Sequence, residues 1–278
     1  MYEKYWNLKE RPFQNTPDPR YLYLSSQHED VLMKLTYAVA QGLGGGMLTG
    51  VFGCGKTLIA RVILRDLGDQ RFCWAYISNP SLGEPAELLR AIVRSLSPQG
   101  LPEKKTELLA DPLLEKLQDI LMNNVQEGKE NIVIVDEAHT IEDMRVFEQL
   151  RLILNFQTEE KFLLTLLLLG QPELRAKVDA LKPFSQRIPI RCHLGPLSEE
   201  EVAKYIAHRM SVASSEGLKG INQLFDKDGI KLIFEHTGGI PRKINTLCDF
   251  VLLSGFAKKV QQITPDFIKS VIKEFNLS

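Results

Sequence analysis

The stretch TGVFGCGKTLIAR, Thr49 to Arg61, decides how this chain is read. Gly50-Val51-Phe52-Gly53-Cys54-Gly55-Lys56-Thr57 satisfies G-x-x-x-x-G-K-[ST] at every fixed position. Gly50, Gly53 and Gly55 let the backbone curl until successive N–H groups converge on one anion, and the helix that follows adds its positive N-terminal end. The pattern sets Gly50, Gly53, Cys54, Gly55, Lys56, Thr57 and Leu58 around the phosphates of a nucleotide. Lys56 is the residue that reaches the β- and γ-phosphates, and the Thr57 hydroxyl is a ligand for Mg²⁺. Met47-Leu48 before the loop reads as a short strand, and LIARVILRDL after it as a helix. Cys54 occupies an unconstrained position and reads as a small spacer, although a thiol beside a helix N-terminus can have a lowered pKa.

Outward from the loop, short apolar runs alternate with helical spacing. CWAYI (Cys73 to Ile77), IVIV (Ile132 to Val135), FLLTLLLL (Phe162 to Leu169) and the alternating IPIRCHL (Ile188 to Leu194) read as strands. Leu88, Ile92, Val93 and Leu96 trace one helical face, and Leu113, Leu114, Leu117, Ile120 and Leu121 another. Continuous apolar strands alternating with helices predict an α/β fold with a parallel five-stranded sheet covered on both faces. After Gly195-Pro196 only helical patterns remain. Ser198 and Glu201 form a capping box that opens a helix to about Met210. Further helices are predicted over Asp228 to His236, after Pro241, and from Thr264-Pro265. The expected division is an α/β nucleotide-binding domain over 1–196, with the N-terminal segment in it, and a small all-helical lid over 197–278. The polar segment Ser97 to Asp111 reads as an exposed loop.

Ile132 to Val135 runs into Asp136-Glu137, an apolar strand ending in two acids. In that place Asp136 is suited to hold Mg²⁺ through its water shell, and Glu137 to activate the water that attacks a γ-phosphate. His139 reads as structural. Gln171 follows the strand ending at Leu169-Gly170 and lies beside the acids if those strands are neighbours. Arg187 and Arg191 precede the helical region, where a cation can enter a neighbouring subunit's site as an arginine finger. Arg242, in GGIPR, opens a helix and is suited to reach phosphates. The letters DEAH also name a helicase motif, but such helicases need a second core with its own arginine motifs, and the helical remainder is too short to supply one.

The bulk properties narrow the function. With 34 basic and 35 acidic residues the net charge is near zero, whereas a dedicated nucleic-acid protein usually carries a basic excess. The four cysteines have no C-x-x-C pair, which fits a reduced cytoplasmic compartment and no cysteine metal site. The longest apolar run is far short of the roughly 20 residues that span a bilayer, so no direct membrane insertion is expected.

Together these motifs resemble the AAA+ ATPases, and more narrowly the ExeA/GspA type of bacterial type II secretion and pilus systems, MshM-like pilus biogenesis ATPases among them. The resemblance runs from YWNLKERPFQNTPDPRYLYLSSQHEDVLMKLTYAV (Tyr5 to Val39) through the P-loop, VDEAH, LLGQPEL, SQRIPIRCHLGPLSEEEVAKYIAHR and TGGIPRKINTLCD. It implies ATP with Mg²⁺, the AAA+ strand order, Gln171 as sensor 1, Arg187 as trans finger with Arg191 as its alternative, and Arg242 as sensor 2. It also suggests Phe13, Pro17 and His28 as base contacts. Val51, Leu58 and His139 depart from the family's commoner Glu, Thr or Ser, and Gln, all outside the fixed positions. The longer secretion ATPases continue into a transmembrane helix and a peptidoglycan-binding domain; this sequence ends at Ser278, as either the isolated ATPase module or a short relative, so direct cell-wall binding is not expected from it.

The function expected on this basis is an ATP-hydrolysing module that forms homo-oligomers and serves a membrane-anchored secretion or pilus partner. It would sit in the cytoplasm or at the inner membrane through that partner. A DNA-bound regulatory ATPase of the transposition type is the alternative, less favoured by the charge. A nucleotide-gated scaffold with negligible turnover is another.

Overall fold

The computed structural model describes residues 1–278 apart from 69, 79–83, 98–108, 215–223 and 278. The chain divides into two compact units. One comprises Glu29–Phe52 and Ile59–Leu194, the other Met1–His28, Gly53–Leu58 and Gly195–Ser278.

The first unit is built on five strands, β1 Gly45–Gly50, β2 Phe72–Ile77, β3 Glu130–Val135, β4 Leu164–Gly170 and β5 Ile190–Leu194. All pair in parallel in the order β2-β3-β4-β1-β5. Every residue of β4 is buried, as a central parallel strand covered on both faces requires. The two-residue period splits its side chains. Leu166 and Leu168 join Val133 and Val135 of β3 in one core with helices α3 (Pro85–Leu96), α4 (Ala110–Gln126) and α5 (Met144–Ile153). Leu167 faces the other way, where Leu35 of helix α1 (Ser26–Ala40) covers Gly46. Helix α2 (Lys56–Leu67) follows β1, and α6 (Glu173–Ala180) and α7 (Lys182–Ser185) lead from β4 to β5. Val135 is level with Leu168, Thr49 with Gly170, and Gly50 with Leu194. The carboxyl ends of β3, β4, β1 and β5 therefore share one edge of the sheet, the edge where ligands bind in open α/β sheets.

The second unit holds helices α8 (Glu199–Ala213), α9 (Lys227–Thr237), α10 (Pro241–Ala257) and α11 (Pro265–Glu274). The Ser198 capping box forms: its hydroxyl accepts from Glu201 N–H, and Ser198 N–H donates to Glu201 Oε2 at 2.9 Å. Such a cap contributes about 1 kcal/mol. Thr264 caps α11 through its hydroxyl alone, which accepts from Phe267 N–H, with Pro265 at the first helical position.

The N-terminal segment, expected with the sheet, lies in the helical unit. Tyr2, Leu8, Phe13 and Tyr21 are buried in one core with Ile206, Val251 and Leu252. Arg209 of α8, itself buried, donates to the carbonyls of Pro12 at 2.6 Å and Gln14 at 2.9 Å, and its guanidinium stacks over Tyr21. Irregularly spaced aromatics do not announce which core they will fill, so chain order alone misplaced the segment. Of the predicted loop Ser97 to Asp111, residues 98–108 lie outside those described, and α4 already begins at Ala110.

Candidate nucleotide site

The loop after β1 has the backbone that its glycines permit. Gly53 and Gly55 adopt φ of +87° and +102°, a region that side chains with a Cβ rarely enter. At Gly50 the constraint is space: a Cβ there would lie 2.4 Å from the carbonyl oxygen of Leu194. Because that oxygen is backbone on a paired strand, Gly50→Ala should destabilise the protein by about 1–3 kcal/mol, measurable as a lowered midpoint in urea. Lys56 opens α2 and is only 5% exposed. In the helical unit, the Arg242 N–H donates to the Gly53 carbonyl at 3.2 Å, so the start of α10 rests on this loop.

Cys54 and His28 are both buried at the loop. Burial pushes the Cys54 thiol up to about 11, against a smaller lowering by Lys56. Burial thus favours the neutral thiol over the thiolate. Iodoacetamide at pH 7.5 should leave it unmodified in the native protein and alkylate it rapidly in urea, read by intact mass and peptide mapping. His28 is buried, with Nδ1 2.7 Å from Ser25 Oγ and its ring hydrogen-bonded to the Cys54 backbone. Burial lowers its pKa, against a smaller raising effect of that backbone bond. It braces the loop, and Phe13 is core; Pro17 stays half-buried.

At the sheet edge, Asp136 is buried and held twice: Tyr76 Oη donates to Oδ2 at 2.6 Å and the Glu137 N–H to Oδ1 at 2.8 Å. Glu137 takes a left-handed backbone, φ 53° and ψ 30°, an uncommon state for a residue with a side chain. Because β3 and β4 are neighbours, Gln171 comes close to the turn after the acids. Its Nε2 lies 2.9 Å from His139 Nε2, and His139 Nδ1 lies 3.5 Å from Glu137 Oε2. Lys177 of α6 donates to the carbonyls of His139 at 2.6 Å and Ile141 at 2.7 Å, fixing the turn from outside. Tyr76 and Lys177 are residues here that the sequence did not single out, and His139 is one it set aside as structural.

The two arginines differ. Arg191, within β5, is tied to Asp179 at 2.6 Å, to the Ser185 carbonyl and hydroxyl, and to the Ile188 carbonyl. Arg187 precedes β5 and donates to the Leu154 carbonyl at 3.3 Å. It stands at the amino end of a strand whose carboxyl end shares the edge with the acids. A five-residue strand separates these ends by roughly 13–17 Å, so Arg187 is badly placed to serve the acids of its own sheet.

A parallel sheet in this order, a P-loop after β1 and two acids ending β3, with the polar end of β4 between them, define a P-loop NTPase of the AAA class. Residues 40–178 match the family described as AAA domain. The general secretion pathway protein A of Aeromonas hydrophila is 39% identical over 266 residues, covering 95% of this chain and 46% of that protein. An uncharacterized HTH-type transcriptional regulator of Methanocaldococcus jannaschii is 26% identical, covering 59% of this chain and 40% of its own. The Aeropyrum pernix ORC2 protein, solved as ADPNP-ADP complexes, superposes with a TM-score of 0.70 at 17% identity, over 96% of this chain and 71% of that one. This last likeness shows the fold alone. The chain belongs to the AAA ATPases of the general secretion pathway protein A type, and it spans about half the length of the curated relatives it matches.

Proposed function

We propose that the protein binds ATP with Mg²⁺, hydrolyses it, and uses the cycle in a homo-oligomer to power or regulate a bacterial secretion or pilus-like machine. The observation that supports hydrolysis best is the shared sheet edge: the loop of Gly50 leaves β1 there, Asp136 and Glu137 end β3 there, and Gln171 follows β4 between them. The positive-φ glycines, Lys56 and the start of α2 fit a phosphate chain, and the Thr57 hydroxyl and the Asp136 carboxylate are each oxygen ligands of the kind that would hold Mg²⁺. Bound Mg²⁺ supplies charge neutralisation on the phosphates. Gly53, Cys54, Gly55, Thr57 and Leu58 offer backbone N–H donors, Lys56 a cation, and Glu137 a base for the attacking water. Gln171 orients that water, and Arg242 adds charge from α10. Arg187 completes the site of the next subunit.

The secretion role follows the Aeromonas relative. Among the described residues no helix is long and apolar enough to cross a membrane, consistent with a cytoplasmic module held at the inner membrane through a partner. The transcriptional-regulator relative gives the DNA-bound reading its one specific support, against the near-neutral charge. Phosphate release by the purified protein, with Mg²⁺ or EDTA and with or without duplex DNA, separates the readings. Mg²⁺-dependent turnover indifferent to DNA supports the envelope role. Turnover only on DNA, with a steep salt dependence, replaces it with the regulatory one. Nucleotide binding without turnover in any condition leaves a scaffold.

A further inference from the structure

We propose that His139 is a positioning residue for Glu137, passing the orientation of Gln171 to the carboxylate. The inference rests on the reading of Glu137 as the hydrolytic base. The Gln171 amide nitrogen, 2.9 Å from His139 Nε2, can only donate, so Nε2 accepts and the ring proton resides on Nδ1. That Nδ1 is buried and has no hydrogen-bond partner among the described residues, yet it points to Glu137 Oε2 at 3.5 Å. A buried donor without a partner calls for an explanation, and a functional contact made in another state is one. Closing the gap by about half an ångström would bring the pair into hydrogen-bond range.

The surroundings hold His139 in place for this task. Lys177 grips the carbonyls of His139 and Ile141. The Gly170 backbone packs so closely that a Cβ there would lie 3.1 Å from the His139 backbone nitrogen. The backbone of His139 is therefore held and its side chain is only 14% exposed, whereas Glu137 has a left-handed backbone and a side chain 34% exposed. Of the two partners, the carboxylate is the one that moves. His139 thus links the residue that contacts the water to the residue that takes its proton, and it touches neither water nor phosphate itself.

Two measurements test this. In steady-state assays His139→Ala should lower kcat about tenfold or more, as misplacement of a reacting group does, with KM for ATP held within about twofold. His139→Gln, whose amide can also accept from one side and donate to the other, should recover to within about threefold of wild type. His139→Ala turning over like wild type, or failing through KM alone, overturns the proposal. Absence of turnover in the wild type would defeat the hydrolytic reading instead. In that event ¹⁵N spectra of the imidazoles in the nucleotide-free protein still decide the geometry. The His139 ring should be protonated at Nδ1, and Gln171→Leu should release it to a mixed population. A ring protonated at Nε2, or one indifferent to Gln171→Leu, overturns the proposal.

Discussion

Arg187→Ala is expected to lower ATP turnover about 10³-fold or more, the range of arginine fingers in other nucleotide hydrolases, with ATP affinity close to wild type. The reason is positional. Arg187 lies before β5 while the acids follow β3, so the strand itself stands between them. An arginine so placed helps hydrolysis only from a neighbouring copy. Its modest tether, one bond to the Leu154 carbonyl, leaves it easier to redeploy than Arg191, which would first have to give up Asp179, Ser185 and Ile188. Mixing Arg187→Ala with Lys56→Ala subunits should restore part of the activity, since some interfaces then pair an intact loop with an intact finger. A mixture that stays inactive while both variants still assemble would move the finger elsewhere.

Glu137→Gln should cost about 10²–10⁴ in turnover, the usual contribution of a general base, without loss of nucleotide binding. The amide is nearly isosteric but cannot accept the proton of the attacking water. Asp136 keeps its bonds from Tyr76 and the backbone of residue 137, so the Mg²⁺ position is expected to survive. Single-turnover hydrolysis beside fluorescent-nucleotide titration checks both halves. Comparable loss of binding would mean that the substitution disturbed the left-handed turn and not the chemistry alone.

Much of this was legible in the chain, and for identifiable reasons. The glycine loop and the strand ending in two acids are local patterns, legible because their residue types and spacing are fixed over a few positions. The helices α8, α10 and α11 announce themselves through Ser198 with Glu201, Pro241, and Thr264-Pro265. Helices α1 and α5 carry a quieter signal: Val31, Leu35, Ala38 and Val39, and Val146, Phe147, Leu150 and Ile153, follow helical spacing and are buried, but charged residues interrupt them. What local pattern could not reveal are pairings across strands. Tyr76 meets Asp136 only because β2 lies against β3, and His139 meets Gln171 only because β4 lies against β3. For Cys54, burial raises the thiol pKa, in keeping with its reading as a small spacer.

The most direct measurement is specific ATPase activity across a wide range of protein concentration, with light scattering on the same samples. Activity per milligram should rise with concentration and level off as assembly completes, as the proposed site shared between Glu137 of one subunit and Arg187 of the next requires. Turnover that is appreciable and independent of concentration while the protein stays monomeric would contradict the shared site.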